Sequence, residues 1–189
     1  MSQKKDKGNI LFFRESTFAV AERIFNYPNK TFHVRMLAEE TKLSTTAVVR
    51  SVEELEQFRI ITTEETPLTK NIKADLNSDA YAFYKIIFNL YRIKRYGFVD
   101  ELVSFYAPEV IVLFGSFAKG EDIEESDVDL LILNAHQSAG VIPENVKNYE
   151  KEFARSINLH FLPSLEKSSN EFKNALANGV VLYGYLKVI

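Results

Sequence analysis

Two short apolar runs near the middle of the chain constrain the fold most. The first is EVIVLF at residues 109–114 and the second is DVDLLIL at residues 127–133. EVIVLF is a continuous β-branched and apolar run after its first residue, and in the second run four apolar residues, LLIL, follow two aspartates. Both are short, which predicts strands buried in a sheet. Between them lie a glycine-containing stretch, GSFAKG, and an acidic one, EDIEES. This half of the chain is therefore predicted to contain a sheet, and the chain as a whole to be α+β.

The composition is that of a globular protein with one ordinary domain or two small ones. The chain has 189 residues, of which 46% are hydrophobic, enough to form a core. It has no cysteine, which excludes a disulfide framework and a thiolate metal site. The net charge of -3 does not by itself indicate nucleic-acid binding.

The N-terminus, MSQKKDKGN, is polar and lacks the apolar core of a secretory signal. No apolar run approaches the roughly 20 residues that cross a membrane. We therefore expect a cytoplasmic protein with no membrane partner, and a disordered tail at residues 1–9.

The first third of the chain has helical periodicity followed by a hairpin pattern. Apolar residues recur at helical spacing from Ile10 to Asn26, and TFHVRMLAEETKL indicates a short second helix. LSTTAVVRSVEELEQF indicates a third helix, with Ser44 as its N-cap. Residues 60–63 and 71–76 then predict two strands joined by a Pro-containing turn.

Three helices followed by a hairpin resemble a winged helix-turn-helix domain at residues 10–76, and MLAEETKLSTTAVVRSVEELEQFRII resembles that family's core. The resemblance implies that the third helix enters the DNA major groove with its N-terminal residues leading. The residues implied to contact DNA are Thr45, Thr46 and Arg50 on this helix, and Lys70 and Lys73 on the wing. The alternative is that these are solvated polar residues, because many winged helices bind proteins instead.

Residues 77–107 are predicted to form a helical linker, either one long helix or two helices broken near Gly97, with an aromatic stripe. Such a stripe could stack on bases, but helical spacing favours a packing face, either between the two modules or in a homodimer. The stripe consists of Tyr81, Tyr84, Phe88, Tyr91, Phe98, Leu102 and Phe105. A basic cluster beside it, interpreted as a solvated face, consists of Arg92, Lys94 and Arg95.

Two carboxylates stand at the start of the second apolar run. Side chains alternate along a strand, so Asp127 and Asp129 share one face, where they could hold Mg²⁺. Gly115 and Ser116 follow the first run, where a strand turns into a short helix and backbone N–H groups could hold phosphate oxygens. The alternative is an acidic turn that keeps the ends of two strands soluble.

Gly115-Ser116, ten intervening residues and Asp127-x-Asp129 resemble the signature of the DNA polymerase β-type nucleotidyltransferase superfamily, closest to its minimal branch. The resemblance covers residues 108–189 and implies a mixed sheet flanked by helices. It also implies Mg²⁺-dependent transfer of a nucleotidyl group from an NTP, for which we expect ATP, to a hydroxyl or similar acceptor. Gly115 and Ser116 would bind the triphosphate, with Lys119 nearby, while Asp127 and Asp129 would ligate the metal.

The chain departs from this family at the third carboxylate. The family usually supplies it from a later strand, and the matching strand here, INLHFL, has Asn158 at that position. An amide oxygen can ligate a metal, but it carries no charge and is no general base. His160 shares the face of Asn158 and could substitute for the missing group, although a lone strand histidine is more often structural.

Two functions follow from these features. One is a nucleotidyltransferase fused to a DNA-binding domain, acting on a protein, an RNA end or a small molecule. It could be antitoxin-like, because minimal nucleotidyltransferases often pair with a small helical toxin. The other is a DNA-binding regulator whose nucleotidyltransferase domain binds nucleotide or a partner without turnover.

Overall fold

The computed structural model describes residues 13–67 and 69–187, and these divide after Phe88 into two compact units. The predicted tail at residues 1–9 lies outside the described residues. The domain boundaries at 10–76, 77–107 and 108–189 stay predictions.

The first unit contains three helices and a small antiparallel sheet, in the predicted order. The helices are α1 (Glu15–Asn26), α2 (Val34–Thr41) and α3 (Thr45–Gln57). The strands are β1 (Phe32–His33), β2 (Ile61–Glu65) and β3 (Lys70–Ala74), in the order β1-β3-β2. The sequence pattern did not predict β1, because two residues are too few for a strand period to be recognised.

The helix termini test two of the sequence expectations. Ser44 is the N-cap of α3, and its hydroxyl accepts a hydrogen bond of 3.2 Å from the Ala47 amide, as predicted. The predicted start of the first helix at Ile10 lies outside the described residues, but within them α1 begins only at Glu15. Arg14 is extended (φ -62°, ψ 154°), so Phe13 is buried ahead of the helix rather than on it.

Helix α4 (Asp79–Arg95) and helix α5 (Phe98–Tyr106) are separated at Gly97, whose φ is +70°. Of the two forms predicted, the structure has two helices broken near Gly97, and glycine is the residue that adopts this conformation at least cost. Within the first unit, the Phe25 ring lies 5.5 Å from Tyr81 and 5.2 Å from Phe88, measured between centroids. This part of the aromatic stripe is a packing face.

The second unit is built on a four-stranded sheet in the order β6-β5-β4-β7. Its strands are β4 (Val110–Phe114), β5 (Val128–Leu133), β6 (Ile157–Leu162) and β7 (Val180–Tyr183). Strand β4 is antiparallel to β5 and β7, whereas β5 is parallel to β6, so the sheet is mixed. Its remaining helices are α6 (Gly115–Lys119), α7 (Val146–Phe153) and α8 (Asn170–Ala177). The α+β class is confirmed.

Both faces of this sheet are covered, as the continuous apolar runs require. One face of β4 and β5 packs with residues of α5, α6 and α7, including Phe98, Phe117 and Phe153. The other face packs with Leu165 and with Leu176 of α8. Because side chains alternate along β5, the Asp129 side chain projects on the α8 face. None of the described helices has the length and apolar character that a bilayer span needs.

The interpretation of the basic cluster as a solvated face is wrong for Arg92. This residue is only 3% exposed, and its guanidinium carbon lies 5.6 Å from the centroid of the Phe153 ring. Lys94 and Arg95 are exposed as expected. A run of basic residues does not by itself show which of them lies on the buried face of a helix. An arginine on that face can stack its planar guanidinium on an aromatic ring.

A buried ion pair in the second unit joins Asp122, in the loop before β5, to Arg155, in the loop before β6. Arg155 Nη2 donates a 3.0 Å hydrogen bond to Asp122 Oδ2, and the two side chains are 2% and 1% exposed. Asn89 Nδ2 donates to the second oxygen of the same carboxylate at 2.9 Å. The acidic run around Asp122 gave no sign that one of its members is buried.

Replacing Arg155 by Met is expected to destabilise the protein by about 3–5 kcal/mol, because Asp122 is then left charged and buried. The double variant Arg155→Met/Asp122→Leu removes both charges and should recover most of that loss, since an apolar pair of similar volume often replaces a buried ion pair at little cost. Urea unfolding measures both free energies. A single variant as stable as the wild type would show that the pair is not maintained in solution.

Candidate active site

The strand register brings the predicted polar residues to one place on the sheet. Asp129 lies opposite Phe114 on β4 and opposite Asn158 on β6. Asp127 immediately precedes β5, and His160 follows Asn158 by two positions on β6. Because alternate residues of a strand share a face, these four polar side chains gather on the α8 side of the sheet.

The amide of Asn158 lies between the two carboxylates. Its Nδ2 donates to Asp127 Oδ2 at 3.0 Å and to Asp129 Oδ1 at 3.4 Å. His160 Nε2 lies 3.3 Å from the same Asp129 oxygen and donates to it when that nitrogen carries the proton. The Asp129 and His160 side chains are 27% and 43% exposed, so the cluster is open to solvent.

Gly115 brings the backbone of the strand–helix turn against Asp129. Its φ is +77°, and a Cβ at this position would lie 2.8 Å from Asp129 Oδ2. No other residue type fits here without moving the carboxylate, quite apart from the cost of the left-handed conformation. Ser116 follows in α6, and Lys119 is exposed in the last turn of that helix.

An aromatic cluster adjoins the carboxylates. The Phe114 ring lies 5.2 Å from the His160 ring and 5.4 Å from the Phe172 ring of α8. His160 and Phe172 also line a cavity of about 290 Å³, together with residues 161, 162, 168 and 169. Sequence reasoning missed Phe172, because its spacing on α8 gives no sign that it faces the site.

The donor set fits a hard divalent cation such as Mg²⁺. Asp127 and Asp129 supply two carboxylates, and Asn158 supplies an amide that can present either its nitrogen or its oxygen. Within residues 13–67 and 69–187, no three His, Cys, Asp or Glu side chains are grouped so that they could hold a metal ion. This is compatible with Mg²⁺, which is usually bound by one or two carboxylates plus water and substrate phosphates rather than by an all-protein cage.

The residues implied to contact DNA lie at the surface of the first unit. Thr45, Thr46 and Arg50 are exposed on the first turns of α3, and Lys73 is exposed on β3. The ammonium of Lys70 lies 4.0 Å from a carboxylate oxygen of Glu56. Arg50 lines a groove of about 400 Å³ whose other residues are Arg14, Glu53, Glu54, Gln57 and Phe58. The basic groups of this surface therefore alternate with acidic ones.

Gly115→Ala and Gly97→Ala form a matched pair of substitutions. Both place a side chain at positive φ, which costs about 1–2 kcal/mol, but a Cβ at Gly97 meets nothing within 4 Å. Gly115→Ala should therefore destabilise more than Gly97→Ala, because it also displaces the Asp129 carboxylate from Asn158 and His160. Urea unfolding compares the two. Equal losses would mean that the close approach of Gly115 to Asp129 is absent in solution.

Residues 99–186 match the model of a protein family described as polymerase beta, nucleotidyltransferase. No curated protein matches the chain. A solved structure described as a possible transcriptional regulator from Methanosarcina mazei Go1 is 19% identical over 50% of this chain and 77% of that chain, with a TM-score of 0.32. A likeness at that score supports no conclusion about this chain. The family match supports a polymerase beta-type nucleotidyltransferase domain in residues 99–186, the stretch that contains Gly115, both aspartates and Asn158.

Proposed function

We propose that the second unit is an Mg²⁺-dependent nucleotidyltransferase that transfers NMP from an NTP, expected to be ATP, to an acceptor hydroxyl. The observation that carries the proposal is the close approach of Gly115 to Asp129, since a Cβ on Gly115 would lie 2.8 Å from Asp129 Oδ2. The strand–helix turn therefore lies next to one of the two carboxylates, and N–H groups at the start of a helix can hold phosphate oxygens of a metal-bound triphosphate. An acidic turn that only kept two strands soluble would not need this close approach.

Each residue of the site has a role in this proposal. Gly115 and Ser116 hold the triphosphate, with exposed Lys119 as a further cation near the phosphates. Asp127 and Asp129 hold Mg²⁺, which when bound neutralises charge on the transferred phosphate and the leaving pyrophosphate. The acceptor oxygen forms a bond to the α-phosphorus as the bond to pyrophosphate breaks, and the proton of the acceptor hydroxyl passes to solvent water. Charge neutralisation and placement supply most of the catalysis in such a transfer.

Asn158 limits the rate in this proposal. It stands where the resemblance implies a third carboxylate, and its amide cannot take the proton of the acceptor hydroxyl. In the absence of metal it has a stabilising role instead, because it donates to both aspartates and so offsets their mutual repulsion. The site is therefore built to bind a metal nucleotide, with transfer slower than in a site of three carboxylates.

A second candidate function is favoured by the same residue. Without a third carboxylate, the second unit could bind nucleotide or a partner and not turn over, while the first unit binds DNA.

For residues 10–76 we propose a winged helix-turn-helix, supported by the order of three helices and a hairpin. Thr45, Thr46 and Arg50 would enter the major groove, with Lys70 and Lys73 on the backbone. The acidic groups beside Arg50 and Lys70 favour weak, salt-sensitive binding.

We also propose that the protein is cytoplasmic and that it pairs with a small helical toxin or with a second copy of itself. Both proposals are compatible with either function. The resemblance to the minimal nucleotidyltransferases is the support for the toxin partner.

The transfer proposal is tested with labelled ATP, GTP, CTP and UTP, Mg²⁺ and a lysate from the same source. We expect label to move from one NTP to an acceptor, and the transfer to disappear in Asp127→Asn/Asp129→Asn. That double variant keeps the shape of the site but removes both charges. Nucleotide binding without any transfer would reject the enzyme and favour the regulator.

Asn158→Asp is expected to increase transfer by about 10- to 100-fold, the range typical of one positioned acid–base group. The same substitution should lower the melting temperature in EDTA, because three carboxylates then face one another, and Mg²⁺ should restore it. Assays of initial rate and thermal melts measure the two effects. No gain in rate would mean that Asn158 does not occupy the position of the third carboxylate, or that another group already replaces it.

DNA binding is tested by titrating salt against binding of DNA from upstream of the protein's own gene. Arg50→Ala should weaken binding and reduce the slope of log affinity against log salt by about one. Lys94→Ala is the matched control, because Lys94 is an exposed cation of the second unit, paired only loosely with Asp100 at 3.7 Å. Affinity that is indifferent to salt or to Arg50 would remove the groove-binding proposal.

A further inference from the structure

Three segments that carry the candidate site meet at one buried polar cluster, formed by Asn89, Asp122 and Arg155. We call it the Asp122 cluster. Asp122 accepts from Asn89 at 2.9 Å on one carboxylate oxygen and from Arg155 at 3.0 Å on the other. The three residues are 1%, 2% and 5% exposed, respectively, so water does not compete for these bonds.

Each member of the cluster is attached to a different part of the site. Asp122 lies in the loop between α6 and β5, five positions before Asp127. Arg155 lies between α7 and β6, three positions before Asn158. Asn89 also donates to the Phe117 carbonyl at 2.9 Å, and Phe117 is the residue after Ser116 in α6.

Short hydrogen-bonded paths lead from the cluster to the site residues. Beyond Asp122, the Ser126 hydroxyl accepts from the Ile123 amide at 2.9 Å and closes the turn just before Asp127. Beyond Arg155, the Ser156 carbonyl accepts from the Val128 amide at 2.8 Å and joins the starts of β5 and β6. The hydrogen bonds of these two short stretches therefore restrain Asp127 and Asn158 relative to a common anchor.

The chemistry of the Asp122 cluster suits it to hold the site residues in place rather than to add to the stability of the protein. A buried ion pair adds little net stability over an apolar pair of the same volume, because both ions lose their hydration. Its hydrogen bonds are directional, however, and a buried hydrogen-bonded network fixes one arrangement where apolar contacts allow several.

We propose that Asp122 and Arg155 are positioning residues that set the separation between the aspartates of β5 and Asn158 of β6. Through that separation they set the affinity of the site for a metal nucleotide. The affinity part rests on the proposed function, whereas the positional part does not.

The test uses the full chain and the variant Arg155→Met/Asp122→Leu, which removes the directional bonds but keeps the buried volume. The first readout is the pair of side-chain amide signals of Asn158 in ligand-free NMR spectra, assigned by their loss in Asn158→Asp. The second is the Kd of a non-hydrolysable ATP analogue with Mg²⁺. We expect the Asn158 signals to shift and broaden and the Kd to rise about 10-fold, the low end of the loss that follows removal of a group bonded directly to a metal ligand.

Tyr149→Phe is the matched control, because it removes one hydrogen bond from the same helix region without touching the cluster. The Tyr149 hydroxyl donates to Glu101 Oε2, and burial, followed by Glu101, raises the pKa of Tyr149 to about 12, so the donor is protonated in the assay. This variant should keep the Asn158 signals and the Kd of the wild type, whatever it does to stability.

The outcomes separate the two proposals. A wild type that binds no nucleotide rejects the proposed function, and the Asn158 signals still decide the positional claim. A folded double variant with unchanged Asn158 signals overturns the inference. Should the double variant fail to fold, Arg155→Lys and Asp122→Asn are measured with the same readouts, and wild-type signals in both would equally overturn it. Equal effects in Tyr149→Phe would show a general loosening of the unit and also overturn it.

Discussion

The second unit depends on the position of β5 inside its sheet. Hydrogen bonding to β4 on one side and to β6 on the other fixes Asp129 opposite both Phe114 and Asn158. If the pairing register of β5 with β4 and β6 shifted by one residue, Asp129 would turn toward the apolar core on the opposite face of the sheet. The apolar residues of β5 do not by themselves oppose such a shift, because both faces of the strand are buried. Asp129 opposes it, because its charge would then enter the apolar core.

The electrostatics of the cluster follow from this register. Two carboxylates held on one face repel each other unless a cation or donors lie between them. In this chain the amide of Asn158 donates to both carboxylates, and the His160 ring donates to Asp129 when its Nε2 carries the proton. A metal nucleotide has to compete with these donors, so the same residues stabilise the free protein and influence how tightly a substrate is held. Gly115 completes the arrangement because only glycine lets the backbone come this close to Asp129.

Much of the fold could be predicted because apolar periodicity records burial. The apolar runs identified β4 and β5, the helical spacing identified α3 and a helical linker, and Ser44 was recognised as a cap. The predictions failed where one charged residue is buried although other charged residues of the same run are exposed. Arg92 and Asp122 belong to charged runs that look solvated, yet both are buried, since their environment comes from elements distant in sequence.

The sequence by itself determined which chemical groups are available: Gly-Ser, two aspartates one strand step apart, and an asparagine where a third carboxylate is implied. It could do so because side-chain alternation within one strand is a local property. Only the tertiary structure decided how those groups meet. The approach of Gly115 to Asp129 and the place of Asn158 between the carboxylates depend on strand pairing. The anchoring of both loops on the Asp122 cluster depends on contacts between segments about 30 residues apart, which no local pattern encodes.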